Sequence, residues 1–388
     1  MLESNSIDRI IIIAPVSAIS KRLRLSKLVK FIFCKDEVHK GQEFKVIHKG
    51  WERLKGEGRE LAFFDKIEKD LILKGGGYGG KVKYMYFLWM VKVFFSCLKL
   101  KKDEVIWALG FESAFPVLIA GLFRKFKVVF DDADRFSLVF NFPKPISWLI
   151  KNLEVWTSRK AFQHIIPGIE RYDFTSNKFY IIKNTPSFDE IEAAKKIYQK
   201  KLWPKADLII NINGLLSKDR GLNIALQLSR DLKDYDIKFI LAGRLACKEA
   251  DELSKQGNVY YLGNVSNAEA LASYFASDLV LTYFDPRIKI NQLAESNKWG
   301  DAIKTGNGII VNSEVQTAQY LRNANAAISF DYSDGQGLAE RLKILSRNAE
   351  EKNQIKKNAG LLANKYGYFE EQLTLFFRQN QLDLKGDF

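Results

Sequence analysis

Cysteine and histidine are both scarce, with three of each in 388 residues. Cys34, Cys97 and Cys247 are odd in number and far apart, which excludes a disulfide framework and a metal knuckle. His39, His48 and His164 likewise lack the spacing of metal ligands. No Pro- or Gly-rich linker, low-complexity tract or fixed-period repeat interrupts the chain, and its one flexible run, "KGGGYGG" at 74–80, is short. Long apolar runs are missing too. The opening "MLESNSIDRIIIIAPV" sets acids before only four isoleucines, so it reads as a first strand rather than a signal peptide, and a reducing cytoplasm is expected. The segment "KVKYMYFLWMVKVFFSCLKLKK" at 81–102 is broken by Lys92 and falls short of the roughly 20 residues needed to span a bilayer.

What is present belongs to a folded globular protein: 47% hydrophobic and 27% charged residues. The length favours two domains over a single core. Charge is unevenly spread. Residues 1–205 hold 38 Lys and Arg against 23 Asp and Glu, a net of +15, and residues 206–388 hold 22 against 23, a net of −1. A basic half joined to a neutral half implies different partners, the basic one anionic, although surface lysines also serve solubility. The 81–102 segment has aromatics between basic flanks, which suits an interfacial helix beside anionic lipid. It equally suits a helix buried in a large α/β domain.

Strand-like and helical runs alternate along the whole chain. "RIIIIAPV", "FKVIH", "EVIWAL", "KVVFDDAD", "HIIPG" and "FYIIKNTP" are separated by helical stretches, including "ESAFPVLIAGLFRKF" and one around 145–162. Near-continuous apolar strands of this kind form a parallel sheet covered on both faces. A second cycle opens with "LIININGLL" and continues through "IKFILAG", "NVYYLG", "DLVLTYF" and "AAISF". The expected organisation is a basic domain at 1–200, a second doubly wound domain at 201–365, and a helix within 366–388 that packs back on the first. Ligands in such folds bind at the carboxyl ends of strands, here in a cleft between the domains.

Three stretches of the second half carry candidate chemistry. In "AESNKWGDAIKTGNGIIVNSEV", 294–315, Ser296 is an N-cap, 297–305 a helix body and Gly306 its stop. Trp299, Ala302 and Ile303 share one helix face, and Asn297, Lys298, Asp301 and Lys304 share the other. A helix N-terminus with a cation and an acid beside it suits a phosphate bearing a hydroxylated group. "NGLLSKDRGL", 213–222, follows a strand, so Gly214 allows close backbone approach while Lys218 and Arg220 offer charge. "LAGRL", 241–245, repeats that logic with Gly243 and Arg244, whose plainer reading is turn chemistry and a solvated cation.

In order and spacing, these motifs resemble the nucleotide-sugar half of the family 4, or group 1, glycosyltransferases, over about 207–365. The resemblance implies an α/β, GT-B architecture: two Rossmann-like domains facing a cleft, with a nucleotide-diphosphate sugar as donor. It implies transfer to a glycan or polyprenyl-diphosphate-linked acceptor in bacterial polysaccharide synthesis, with retention, and with no metal or cofactor. On that pattern Arg220 meets the donor diphosphate, and Ser296 and Asn297 present backbone N–H groups to its β-phosphate. Asp301 is the second acid of the Glu-x7-Glu motif and holds the ribose. Leu293 stands where the first acid belongs, with Glu295 placed to substitute, and Leu215 replaces a frequent Arg.

The first half matches more loosely, through "FDDAD", Glu154, "HIIPGIE" and "IIKNTPS". Asp131, Asp132 and Asp134 are its candidate catalytic acids, and a strand-end cap is their structural reading. Net charge and the 81–102 segment point to docking on the cytoplasmic face of an anionic membrane. Two alternatives stand beside the transferase: a nucleotide-sugar 2-epimerase, disfavoured by scattered histidines, and a non-catalytic basic module binding an anionic polymer. No groove-reading motif supports a nucleic-acid partner.

Overall fold

The computed structural model describes residues 7–38, 44–79, 82–132, 134–140 and 142–382. The chain divides into two units. Unit 1 takes in Met1–Pro167, Tyr172–Ile182 and Glu370–Phe388, and unit 2 takes in Gly168–Arg171 and Lys183–Phe369.

Unit 1 is built on seven strands: β1 Arg9–Ile13, β2 Lys45–Glu52, β3 Glu68–Lys74, β4 Val105–Leu109, β5 Lys127–Asp131, β6 Gln163–Ile166 and β7 Phe179–Ile181. They pair in the order β3-β2-β1-β4-β5-β6-β7, every pair parallel. The four isoleucines, Ile10 to Ile13, sit in the interior strand β1 and are fully buried because helices cover both faces. Edge strand β3, "EKDLILK", opens on three charged residues and carries only three apolar ones, and so gives a weak signal in the sequence. The covering helices are α1 Leu23–Val38, α2 Val82–Cys97, α3 Phe111–Arg124, the single turn α4 Phe136–Val139, and α5 Lys144–Lys160.

Helix α2 covers most of 81–102 and is buried on one side only (Lys81 lies outside the described residues). One stripe, Trp89, Val93 and Cys97, is buried against the sheet, and another, from Tyr84 to Phe95, is exposed. No helix among the described residues is long and apolar enough to cross a membrane.

Unit 2 has six strands: β8 Leu208–Leu216, β9 Ile237–Leu245, β10 Val259–Tyr261, β11 Leu279–Thr282, β12 Gly308–Asn312 and β13 Ala327–Phe330. Their order is β10-β9-β8-β11-β12-β13, again all parallel. Its helices are α6 Phe188–Lys200, α7 Leu222–Asp231, α8 Lys248–Leu253, α9 Asn267–Phe275, α10 Asn297–Thr305, α11 Gln319–Asn323, α12 Gly335–Ser346 and α13 Ala349–Tyr366.

The expected boundary at 200/201 falls earlier, at Ile182/Lys183. Helix α6 belongs to unit 2 because Ile191 and Ala194 bury with Leu271 and Tyr274 of α9 in one apolar cluster. The last helix, α14 Phe369–Gln379, lies in unit 1 from Glu370 onward. There Phe376 packs edge-on to Trp107 at 5.6 Å and to Tyr180 at 4.9 Å, and Phe377 stacks on Trp107 at 6.3 Å.

Candidate functional site

In unit 2 the chain runs outward from β8 through β9 to β10, then returns to β11 on the other side of β8. Open α/β sheets bind ligands at the carboxyl ends of the two strands flanking such a reversal. Backbone there is bare. Gly214 and Gly243 are paired across β8 and β9 with φ of +99° and +127°, and a Cβ on Gly243 would overlap the Gly214 carbonyl oxygen. Gly221, at φ +72°, leads into α7 where an added Cβ would overlap the Cβ of Tyr283, just beyond β11. These turns carry the loop Ser217–Arg220 across the strand ends.

Helix α10 is anchored by its inner face, since Trp299, Ala302 and Ile303 are buried and the Trp299 indole N–H donates to Thr282 Oγ1 at 2.8 Å. Ser296 caps it by accepting from the Lys298 N–H at 3.3 Å, and Gly306 ends it at φ +73°. That anchoring turns Lys298 and Asp301 outward. The Lys298 ammonium lies 3.3 Å from where a Cβ on Gly214 would stand, so it covers the bare backbone. Its pKa is lowered from 10.5 to about 8, first by burial and then by the Arg220 charge, with Asp301 opposing. Arg220 is open to solvent, its guanidinium 5.0 Å from the Phe284 ring. Gly214 and Lys298 therefore meet, Asp301 stands one turn further along the same helix, and the Arg220 charge acts on the Lys298 ammonium, with Gly243 paired to Gly214.

The other expected donor residues are placed differently. Asn297 is exposed in the first turn of α10, whereas Ser296 is buried as its cap. Lys218 pairs with Glu249 at 3.6 Å, and Arg244 is exposed on β9 opposite Leu215. Glu295 turns inward. Its carboxylate is 3% exposed, accepts from the Lys183 ammonium at 2.9 Å and lies close to Gly168. Preceding the cap, Glu295 does not share the helix face of Lys298 and Asp301. Burial pushes its pKa up to about 7 against the pull of Lys183 and Arg171. Sequence reasoning missed Lys183, whose ammonium also sits 4.0 Å from the centre of the Tyr320 ring.

In unit 1 the three candidate acids separate. Asp131 is 1% exposed, receives both Arg24 Nε (2.8 Å) and the Trp107 indole N–H (3.0 Å), and is thereby committed within the fold. Asp132 is buried and accepts from the Tyr172 hydroxyl at 2.7 Å, with His164 Nε2 3.7 Å away. His164 is buried, with Ser158 Oγ 2.8 Å from Nδ1, and burial lowers its pKa against the Asp132 charge. Asp134 is exposed. Glu154 anchors the stretch that follows, accepting from the Ser137 N–H and hydroxyl and from Arg135. A further acid is Glu112, in the first turn after β4, raised to about 8 by burial and by Asp132, with Arg22 and Arg53 opposing. An acid opening the helix after a central strand was its only signal in the sequence. Among the described residues no three His, Cys, Asp or Glu side chains gather as a metal site.

No protein-family model matches the sequence, and no curated protein matches it. Solved structures do match. A glycosyltransferase from Rickettsia africae superposes over 99% of this chain and 100% of its own, at a TM-score of 0.68 and 14% identity. Anabaena HepE, solved with UDP and glucose, covers 96% of this chain and 99% of its own, at 0.63 and 14%. A protein assigned as a UDP-N-acetylglucosamine 2-epimerase from Listeria monocytogenes covers 99% of each chain, at 0.61 and 12%. The class these likenesses define is the GT-B fold: parallel α/β sheets of seven and six strands, flanked by helices.

Proposed function

We propose that the protein is a glycosyltransferase that takes its sugar from a nucleotide-diphosphate donor held by unit 2. The observation that carries this reading is the Lys298 ammonium over the bare backbone of Gly214 at the strand reversal, with the charges of Arg220 and Asp301 acting on it. In this reading Arg220 and Lys298 meet the diphosphate, the first turn of α10 adds backbone N–H groups, and Asp301 accepts from the ribose hydroxyls. The acceptor oxygen bonds to the anomeric carbon as the bond to the diphosphate breaks. The nucleoside diphosphate leaves with the electron pair, and the acceptor proton passes to it or to a carboxylate. Two side-chain cations and a helix N-terminus stabilise the leaving charge, so the reading assigns the protein no metal. Retention follows if the acceptor enters on the leaving group's face.

The acceptor we propose is a glycan or polyprenyl-diphosphate-linked glycan at the cytoplasmic membrane surface. The basic composition of the first half supports it, and Asp132, Asp134 and Glu112 are the acids offered to its hydroxyl. The 2-epimerase reading needs proton-transfer groups at the sugar. His48 and His164 are buried in unit 1, and His39 lies outside the described residues. Thermal unfolding with UDP or GDP tests the donor reading. A rise in melting temperature that Arg220→Ala abolishes is expected, and no rise with any nucleotide would overturn it.

A further inference from the structure

Helices α2, α3 and α5 share one core. Trp89 and Val93 of α2, Val117 and Leu118 of α3 and Ile150 of α5 bury together against the unit 1 sheet. The outward sides of all three helices are apolar as well. On α2, Tyr84, Phe87, Leu88, Val91 and Phe95 recur at helical spacing along one stripe, with Tyr84 63% and Phe95 59% exposed. Phe123, near the end of α3, is 66% exposed, and Trp148, in the first half of α5, is 68% exposed. Elements of the face are tied to each other: the Phe87 and Phe142 rings are 6.2 Å apart, and Arg124 of α3 donates to the Leu98 carbonyl after α2 at 2.6 Å. Water-exposed aromatics gathered on one side of a unit, rather than scattered singly, mark an interaction surface.

Charge says what covers it. Lys83 and Lys92 lie on α2, Lys99, Lys101 and Lys102 follow it, and no acid stands between Val82 and Lys102. Lys125 follows α3, and Lys144 and Lys151 lie on α5. Of the acids in these segments, Asp103 is exposed after Lys102 and Glu112 lies in the first turn of α3, while Glu104 and Glu154 are buried in pairs with Arg9 and Arg135 and project no charge outward, so lysine outweighs acid on this side.

We infer that this three-helix face docks unit 1 on an anionic phospholipid surface, with Phe95, Phe123 and Trp148 entering the interface and the lysines meeting headgroups. Aromatics ringed by Lys are the composition of an element that lies in the interface plane. A second copy of the chain fits less well, because a self-paired face would oppose its own lysine fringe. The inference gives the docking expected from the net charge and the 81–102 segment a defined composite surface, and it stands whether or not the donor reading holds.

The experiment is co-sedimentation of the full-length protein with vesicles of phosphatidylcholine alone, or mixed with phosphatidylglycerol, at low and high salt. The protein should pellet with the mixed vesicles at low salt and be released by high salt. Phe95→Glu/Trp148→Glu and Lys92→Glu/Lys125→Glu should each bind at least about tenfold more weakly. Both pairs change exposed residues, so the melting temperature should hold, and UDP affinity measured on the same samples reads out the donor site separately. Absence of pelleting by the native chain, or undiminished pelleting of folded variants, would overturn the inference. A dimer in sedimentation velocity that Phe95→Glu/Trp148→Glu dissociates, without vesicle binding, would overturn it in favour of a second copy.

Discussion

Lys298 should make nucleotide affinity depend on pH from about 8 upward. Its ammonium is half-buried over Gly214 with Arg220 beside it, and these hold the pKa at about 8 instead of 10.5. A bound diphosphate favours the charged ammonium and raises that pKa. Affinity for UDP should therefore be highest below pH 8 and fall about tenfold per unit above it, until the pKa of the complex is reached. Between pH 7 and 9.5 the loss comes to about 30-fold, or about 2 kcal/mol. Without ligand the sign reverses. A depressed folded-state pKa means that the charged ammonium costs the fold up to about 3 kcal/mol below pH 8, a cost that fades as pH rises toward 10.5. Calorimetric titration with UDP and GDP across this range, on the native chain and Lys298→Met, reads the affinity effect, and urea unfolding without ligand reads the stability effect. The variant should bind more weakly by about 1.5–3 kcal/mol at pH 7 and show no slope. Constant affinity of the native chain, or an unchanged slope in the variant, would refute the placement of Lys298 on the diphosphate.

Arg220→Ala should weaken nucleotide diphosphate binding by about 1.5–3 kcal/mol, the loss of a charged hydrogen bond, while leaving nucleoside binding unchanged; equal affinity for UDP in calorimetry would remove Arg220 from the site. Asp301→Asn keeps the shape and should weaken UDP binding, with a smaller effect on the 2′,3′-dideoxy analogue; loss of stability at constant affinity would make Asp301 structural. Arg24→Ala strands the buried Asp131 carboxylate and should cost about 3–5 kcal/mol in urea unfolding at neutral pH, partly recovered by Asp131→Asn in the same chain. A cost below about 1 kcal/mol would show that Asp131 is solvated and open to substrate.

Regular elements were legible because their signals are local. Ile10 to Ile13, the Ser296 cap, the Gly306 stop and the inner face of α10 follow from apolar run length, capping chemistry and the 3.6-residue period. The candidates Gly214, Arg220, Lys298 and Asp301 were readable because two short motifs each sit at a strand or helix end. Long-range partners were not. Nothing near Asp131 in sequence announces Arg24, 107 residues away, and nothing near Glu295 announces Lys183, 112 residues away. The division after Ile182 depends on which side of α6 finds an apolar partner, and β3 is too polar an edge strand to stand out. On α2 both faces are apolar, so its composition could not say which of them the sheet would cover.

Release of nucleotide from a panel of UDP-, GDP- and ADP-sugars, with the freed sugar identified by NMR, tests the central claim most directly. Slow hydrolysis of one donor class, with the sugar unchanged at C2 and activity lost in Arg220→Ala and Lys298→Met, is the predicted result. Consumption of no donor, or release of a sugar inverted at C2, would contradict the transferase account.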